Sequence, residues 1–229
     1  MLAKPGVLMR QFLLASAVAV AVSALAATGA QAVPKLGLTV QSDGATSFQS
    51  VAFGPADGSD NFKQVSVGNF TANNIGGQYH SPSYIDLSAF DVSSSSGGTL
   101  TITLTGTGFT SQPGASNWLT QFTGNISNGS AVVSEKSYLD NSDTLENPGC
   151  AVGCTLLSSV GLGGSATATA VNDGFFALTE VVTIVTTGAE RLSLDASVSD
   201  VPEPMSLALV GSGLAGLGLI RRRTSRKAA

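Results

Sequence analysis

The chain of 229 residues carries 11 basic and 15 acidic side chains, a formal charge of −4, and only 6% aromatic residues. Between Val33 and Asp200, however, there are four basic residues (Lys35, Lys63, Lys136, Arg191) and 14 acidic ones, so this stretch of 168 residues has a formal charge of −10. Such an acidic surface repels phosphate backbones and excludes nucleic acid as a partner, while 168 residues suffice for one domain with a core of its own.

Lys4 and Arg10 precede an uncharged apolar run from Phe12 to Ala27, and Ala30-Gln31-Ala32 supplies a small-x-small cleavage pattern. Residues 1–32 therefore read as a secretory signal peptide cleaved after Ala32, with Ala30 and Ala32 as the recognised small residues and Val33 as the mature N-terminus. A second methionine, Met9, offers a shorter signal that keeps Arg10.

Residues 33–200 read as all-β. Strand-like runs occur at Leu36–Gln41, Ser47–Phe53, Phe62–Thr71, Tyr84–Val92, Thr99–Thr105, Trp118–Ser127, Ala131–Leu139, Phe175–Thr187 and Arg191–Val198. Alternation is clearest where Leu100, Ile102 and Leu104 interleave with threonines and where Leu192, Leu194, Ala196 and Val198 interleave with Ser193, Asp195 and Ser197. One face of each strand is thus buried and the other wet. Turn signals such as Gly54-Pro55, Gly76-Gly77, Gly97-Gly98 and Gly163-Gly164 separate the runs, and Asn128-Gly129 predicts a tight hairpin. About nine strands at this spacing predict an antiparallel sandwich, with a jelly roll as the alternative topology.

Candidate chemistry within this domain is sparse. Cys150 and Cys154 lie in a Gly/Pro-containing loop, where two close cysteines of an exported chain predict a disulfide. The small loop it closes limits its entropic value to about 2 kcal/mol. His80, the sole histidine, stands in a predicted loop without a G-x-S-x-G motif or any pattern that would place a nucleophile beside it, so no enzyme and no cofactor are predicted. Asp140, Asn141, Asp143 and Glu146 put four oxygen-bearing side chains within seven residues, a possible calcium loop. The second such cluster is Asp57, Asp60 and Asn61; neither follows an EF-hand pattern. Thr99, Thr101, Thr103, Thr105 and Thr107 project at period two from one strand face, the array that a flat ice-binding surface would use. Tyr79, Tyr84, Trp118 and Tyr138 are the aromatics a glycan platform could draw on, although Trp118 at a strand start reads as core.

The C-terminal 28 residues differ from everything before them. Pro202-Glu203-Pro204 is followed by an uncharged run from Met205 to Ile220 and then by Arg221, Arg222 and Arg223, with Arg226 and Lys227 beyond. As a helix the 16-residue run 205–220 spans roughly 24 Å, short for a bilayer core of about 30 Å. Snorkelling arginines and local thinning accommodate the difference, and the basic end 221–227 predicts a cytosolic C-terminus and a stop to transfer. The tail, residues 201–229, resembles the PEP-CTERM sorting tail of exported bacterial proteins, with Pro202, Glu203 and Pro204 matching its motif and Arg221 to Arg223 its basic stop. The resemblance implies recognition by an exosortase, a membrane protease-transferase thought to cleave near the motif, and hence a membrane-anchored intermediate followed by release to the cell surface or beyond. It also brings an ice-binding label and an association with exopolysaccharide-producing bacteria. The expectation is an exported, acidic, non-enzymatic all-β protein of the cell surface or extracellular matrix with a structural or adhesive role. Carbohydrate binding and ice binding are its alternatives.

Overall fold

Strands with one apolar face must stack that face against a second sheet. In the computed structural model, which describes residues 34–42, 44–52, 58–80, 83–143 and 153–201, this produces two antiparallel sheets. Among these residues the strands are β1 (Lys35–Ser42), β2 (Ala45–Ala52), β3 (Gly58–Asn61), β4 (Val65–Val67), β5 (Phe70–Asn73), β6 (Gly76–His80) and β7 (Tyr84–Ser94). They continue as β8 (Gly98–Thr110), β9 (Gly114–Asn128), β10 (Val132–Asp140), β11 (Thr155–Gly161), β12 (Gly164–Asn172), β13 (Phe175–Thr186) and β14 (Glu190–Val201). A six-stranded sheet has the order β11-β10-β13-β8-β1-β2. The eight-stranded sheet runs β12-β9-β14-β7-β5-β4, with β6 on β7 and β3 on β6.

From β7 onward the chain changes sheet at almost every connection, the alternation of a jelly roll. Leu38, Leu100, Ile102, Leu104, Leu178 and Ile184 of the six-stranded sheet face Ile85, Leu87, Phe90, Phe122, Leu194 and Val198 of the other, all but completely buried. An aromatic row closes one part of this core: Tyr79 stacks on Phe109 with centroids 4.4 Å apart, Phe109 lies 5.7 Å from Phe176, and Trp118 meets Phe176 edge-on at 5.6 Å. Trp118 is thus a core residue, as its position at a strand start predicts.

Several local expectations are corrected. Phe62–Thr71 is not one strand, because Gly68 (φ 58°) turns the chain so that β4 and β5 form a hairpin. Gly76-Gly77 opens β6 instead of ending a strand: a Cβ at Gly76 would come within 2.6 Å of Ser88 Oγ, and one at Gly77 within 2.7 Å of Phe62. His80 therefore ends a strand and is not in a loop. Asn128-Gly129 does not join neighbouring strands either. β9 already has β12 and β14 on its two edges, so the turn carries the chain to the opposite sheet. Gly164–Asn172, outside all the predicted runs, forms β12, a regular edge strand.

Candidate functional site

The outward side chains of the eight-stranded sheet form cross-strand rows of hydrogen-bonding groups. One row runs Gln78, Asp86, Ser197, Gln121, Ser165 over five strands, and a second runs Asn73, Asp91, Ser193, Asn125 over four. The rows follow from the period-two register, since the inward neighbours on β7 and β14 are Ile85, Leu87, Val92, Leu192, Leu194 and Val198. Beyond the first row, at the end of the face, a third pairing sets His80 beside Tyr84, with ring centroids 5.3 Å apart, and Tyr84 donates its hydroxyl proton to Asp86 Oδ2 at 2.6 Å. Burial holds the Tyr84 phenol well above its ordinary value, helped by that hydrogen bond to a carboxylate. Burial also raises Asp86, the Tyr84 hydrogen bond opposing it and the nearby Asp195 adding to it.

At the other end of this face lies a groove of about 430 Å³, lined by Asn73, Asp91, Ser93, Ser127, Arg191 and Ser193. Arg191 begins the outward row of β14 opposite Ser93, and Asp91 faces Ser193 one register step away. Asp91 Oδ2 accepts a hydrogen bond from Asn74 Nδ2 at 3.2 Å, and Asn74 itself adopts φ 53° where β5 gives way to β6. Ser93 donates to the Thr71 carbonyl at 3.5 Å. Among the described residues the Arg191 guanidinium makes no hydrogen bond or ion pair. A second recess beside β2 and β4 has Gln49 bound to the Lys63 backbone in both directions, at 3.1 and 3.0 Å, so its amide is already committed.

The interior holds acids that sequence reasoning missed. Glu135 on β10 and Glu180 on β13 are each 0% exposed, and among the described residues their carboxyl oxygens make no hydrogen bond of good geometry, the Leu87 N–H standing nearest to one for Glu180. Burial pushes Glu135 up to about 8 and Glu180 well above the carboxylate range, where Glu135 and Asp86 raise it further and the Leu87 backbone N–H opposes. Beside them Ser137 Oγ lies 2.5 Å from Thr120 Oγ1 and 2.9 Å from Ser158 Oγ, a closed chain of hydroxyls. The signal was in the sequence: Phe176, Leu178, Glu180, Val182 and Ile184 share one parity, and so do Val133, Glu135, Ser137 and Leu139.

Three members of the candidate calcium loop lie among the described residues. Asp140 Oδ1 accepts from the Ser142 N–H and hydroxyl at 2.8 and 2.6 Å, Asn141 Oδ1 accepts from the Asp173 N–H at 3.2 Å, and Asp143 Oδ1 accepts from the Gly108 N–H at 2.7 Å. These oxygens anchor turns, and among the described residues no cluster of three or more acidic, histidine or cysteine groups is placed to hold a metal. Glu146 and Asp57 lie outside the described residues, as does Cys150; Cys154, just before β11, is not a free thiol. The threonine row is also not an open plane, since Thr103, Thr105 and Thr107 are only 4%, 3% and 5% exposed and Thr105 is hydrogen-bonded to Thr179 at 3.1 Å. Ala30, Ala32, Pro202, Glu203, Pro204 and Arg221 to Arg223 lie outside the described residues, where the apolar run 205–220 lies too. Among the described residues no helix is long and apolar enough to cross a membrane.

Residues 200–223 match the PEP-CTERM protein-sorting motif. The chain carries an exosortase-type sorting signal. Its PEP-CTERM tail marks an exported protein, as the order Pro-Glu-Pro, apolar run and arginines implies. No curated protein matches the sequence significantly. Among solved structures, the enzymatically active domain of bacteriophage CBA120 tailspike protein 4 is 13% identical with a TM-score of 0.30, over 64% of this chain and 20% of that chain. TmCBM61, in complex with β-1,4-galactotriose, is 7% identical with a TM-score of 0.28, over 58% of this chain and 88% of that chain. Carbohydrate-binding modules from the β-sandwich superfamily are 13% identical with a TM-score of 0.29, over 71% of this chain and 70% of that chain. The chain thus spans a fifth of the length of the tailspike protein, and at such scores the likenesses carry no argument about function.

Proposed function

We propose that this exported PEP-CTERM protein is a non-catalytic adhesive component of the cell surface or extracellular matrix, and that the outer face of its eight-stranded sheet holds polysaccharide. The observation that carries the reading is the five-strand row Gln78, Asp86, Ser197, Gln121, Ser165, with the groove at the other end of the same face. Neighbouring strands are about 4.8 Å apart, comparable to the rise of one hexose, so a glycan laid across the strands meets the amides of Gln78 and Gln121 and the hydroxyls of Ser197 and Ser165, while Asp86 is held by Tyr84. Carboxylates and amides satisfy pairs of sugar hydroxyls, and Tyr84 beside His80 adds a ring at the end of the face. The PEP-CTERM tail supports the same setting by delivering the domain to the outside. In this role no cofactor takes part.

The test is a pull-down of the processed, exported protein on a panel of insoluble polysaccharides, with a variant carrying Ser197→Ala and Gln121→Ala. Both residues point outward, so the variant keeps the melting temperature of the parent. Retention of the parent on at least one polysaccharide, with several-fold loss in the variant, is expected. Failure of the parent to bind any glycan overturns the reading.

A further inference from the structure

We propose that the groove on the outer face of the eight-stranded sheet is selective for acidic polysaccharide, with Arg191 binding the carboxylate of a uronic acid. The inference rests on the glycan reading above and narrows it to a ligand class. Its starting point is a charge that is out of place. The domain from Val33 to Asp200 holds 14 acids and four bases, so a guanidinium on a sheet surface has ample opportunity to pair across strands, where opposite charges attract. Arg191 does not take it. It stands opposite Ser93, among Asn73, Ser127 and Ser193, and among the described residues it makes no ion pair. The nearest acid in the groove, Asp91, is bonded to Asn74.

The guanidinium presents a planar fork that matches a carboxylate in two parallel hydrogen bonds, and it stays charged at any physiological pH. Its surroundings select what carries the carboxylate. Ser93, Ser127 and Ser193 offer hydroxyls, Asn73 an amide, and Asp91 a negative acceptor within the same groove. A bare anion gains the arginine but is repelled by Asp91. A uronate puts its carboxylate on the arginine and its ring hydroxyls, as donors, on Asp91 and Asn73, so both charges in the groove are used. The remaining acids of the domain do not forbid the approach, because at physiological ionic strength their fields fade over about 8 Å. Attraction is then local to Arg191, which makes the preference specific to this groove.

Affinity gel electrophoresis of the processed, exported protein tests this with three embedded polymers: polygalacturonate, the same polymer after reduction of its carboxyl groups, and dextran sulfate. The expected result is an affinity for polygalacturonate at least tenfold above that for its reduced form, with dextran sulfate weaker than polygalacturonate. Arg191→Ala should bring polygalacturonate down to the level of the reduced polymer, and Arg191→Lys, which keeps the charge but not the fork, should retain part of the difference. Equal affinity for the native and reduced polymers, or a preference that survives Arg191→Ala, overturns the uronate assignment and leaves the glycan reading standing. Dextran sulfate bound as tightly as polygalacturonate through Arg191 makes the groove a general anion holder and also overturns it. No binding to any of the three, nor to the neutral polysaccharides of the pull-down, brings down both readings together.

Discussion

Two carboxyl groups buried in the core define what this domain has to tolerate. Glu135 and Glu180 replace two apolar side chains on the inner faces of β10 and β13, and the cheapest state for an unpartnered buried acid is the neutral one. Glu135, raised from 4.5 to about 8 by burial, keeps a proton in the fold that the unfolded chain has already released. Between those two values the folded state binds more protons than the unfolded state, so stability is greatest in acid and declines as pH rises through the window, by up to about 1.4 kcal/mol per pH step. Asp143, raised to about 6 mainly by burial, slopes the same way over a narrower range. Glu135→Gln, which is neutral at every pH, should therefore melt close to the parent at pH 5 and several degrees above it at pH 8. Circular-dichroism melts at the two pH values decide the matter, and an identical fall in both proteins would show that Glu135 is not the group that titrates. Period two revealed the leucines of β8 and β14 as core, and the same period on β10 and β13 places both glutamates inside. Reading acids as surface residues by habit hid them.

At the level of strands, the sequence announced those that are long and strongly apolar and hid those built from small residues. β12 has the sequence GSATATAVN; its inward side chains Ala166, Ala168 and Ala170 alternate with Ser165, Thr167 and Thr169, a regular pattern of such low contrast that it resembles a loop. β6 was masked by its two glycines, which are demanded by the close approach of Ser88 and Phe62. Glycine is also required inside β9. Gly124 sits at φ 157° opposite Leu194, and a Cβ there would come within 2.5 Å of the Ser193 carbonyl oxygen and 2.7 Å of a Leu194 methyl. The carbonyl is backbone of β14, a central strand paired on both edges, and cannot swing aside as the end of a flexible side chain would. Gly124→Ala should thus cost about 1–3 kcal/mol, the usual range for forcing extra atoms into a packed site. A urea titration should place its midpoint clearly below that of the parent. An unchanged midpoint would mean that β9 bows outward there at little cost. The groove was illegible for a different reason: Asn73, Asp91, Ser127 and Arg191 come from four separate strands, and only the order β9-β14-β7-β5 brings them together.

For the whole molecule, the most readable segment was the one that needs no fold to be read. A sorting signal works as a local string, so Pro202, Glu203 and Pro204 followed by the apolar run and Arg221 to Arg223 could be recognised without any tertiary information, and residues 200–223 do match the PEP-CTERM motif. The described residues end at Val201, the last residue of β14, immediately before Pro202. The register of β14 on β9 persists to Val201↔Asn117, which anchors the domain side of the junction. Proline lacks a backbone N–H and keeps the preceding residue extended, so the Pro-Glu-Pro segment cannot continue the β14 ladder in the same way and is suited to a protease that needs an unpaired chain. If an exosortase reads those three residues, replacing Pro202, Glu203 and Pro204 together by alanine should leave full-length protein in the membrane fraction, while the parent loses its basic end. A C-terminal epitope tag followed through fractionation, in a host that carries the cognate exosortase, reports the difference. The alanine variant should keep most of its tag in the membrane fraction and the parent very little. Equal tag loss in the two proteins would mean that processing is directed by the apolar run and its arginines and not by the motif.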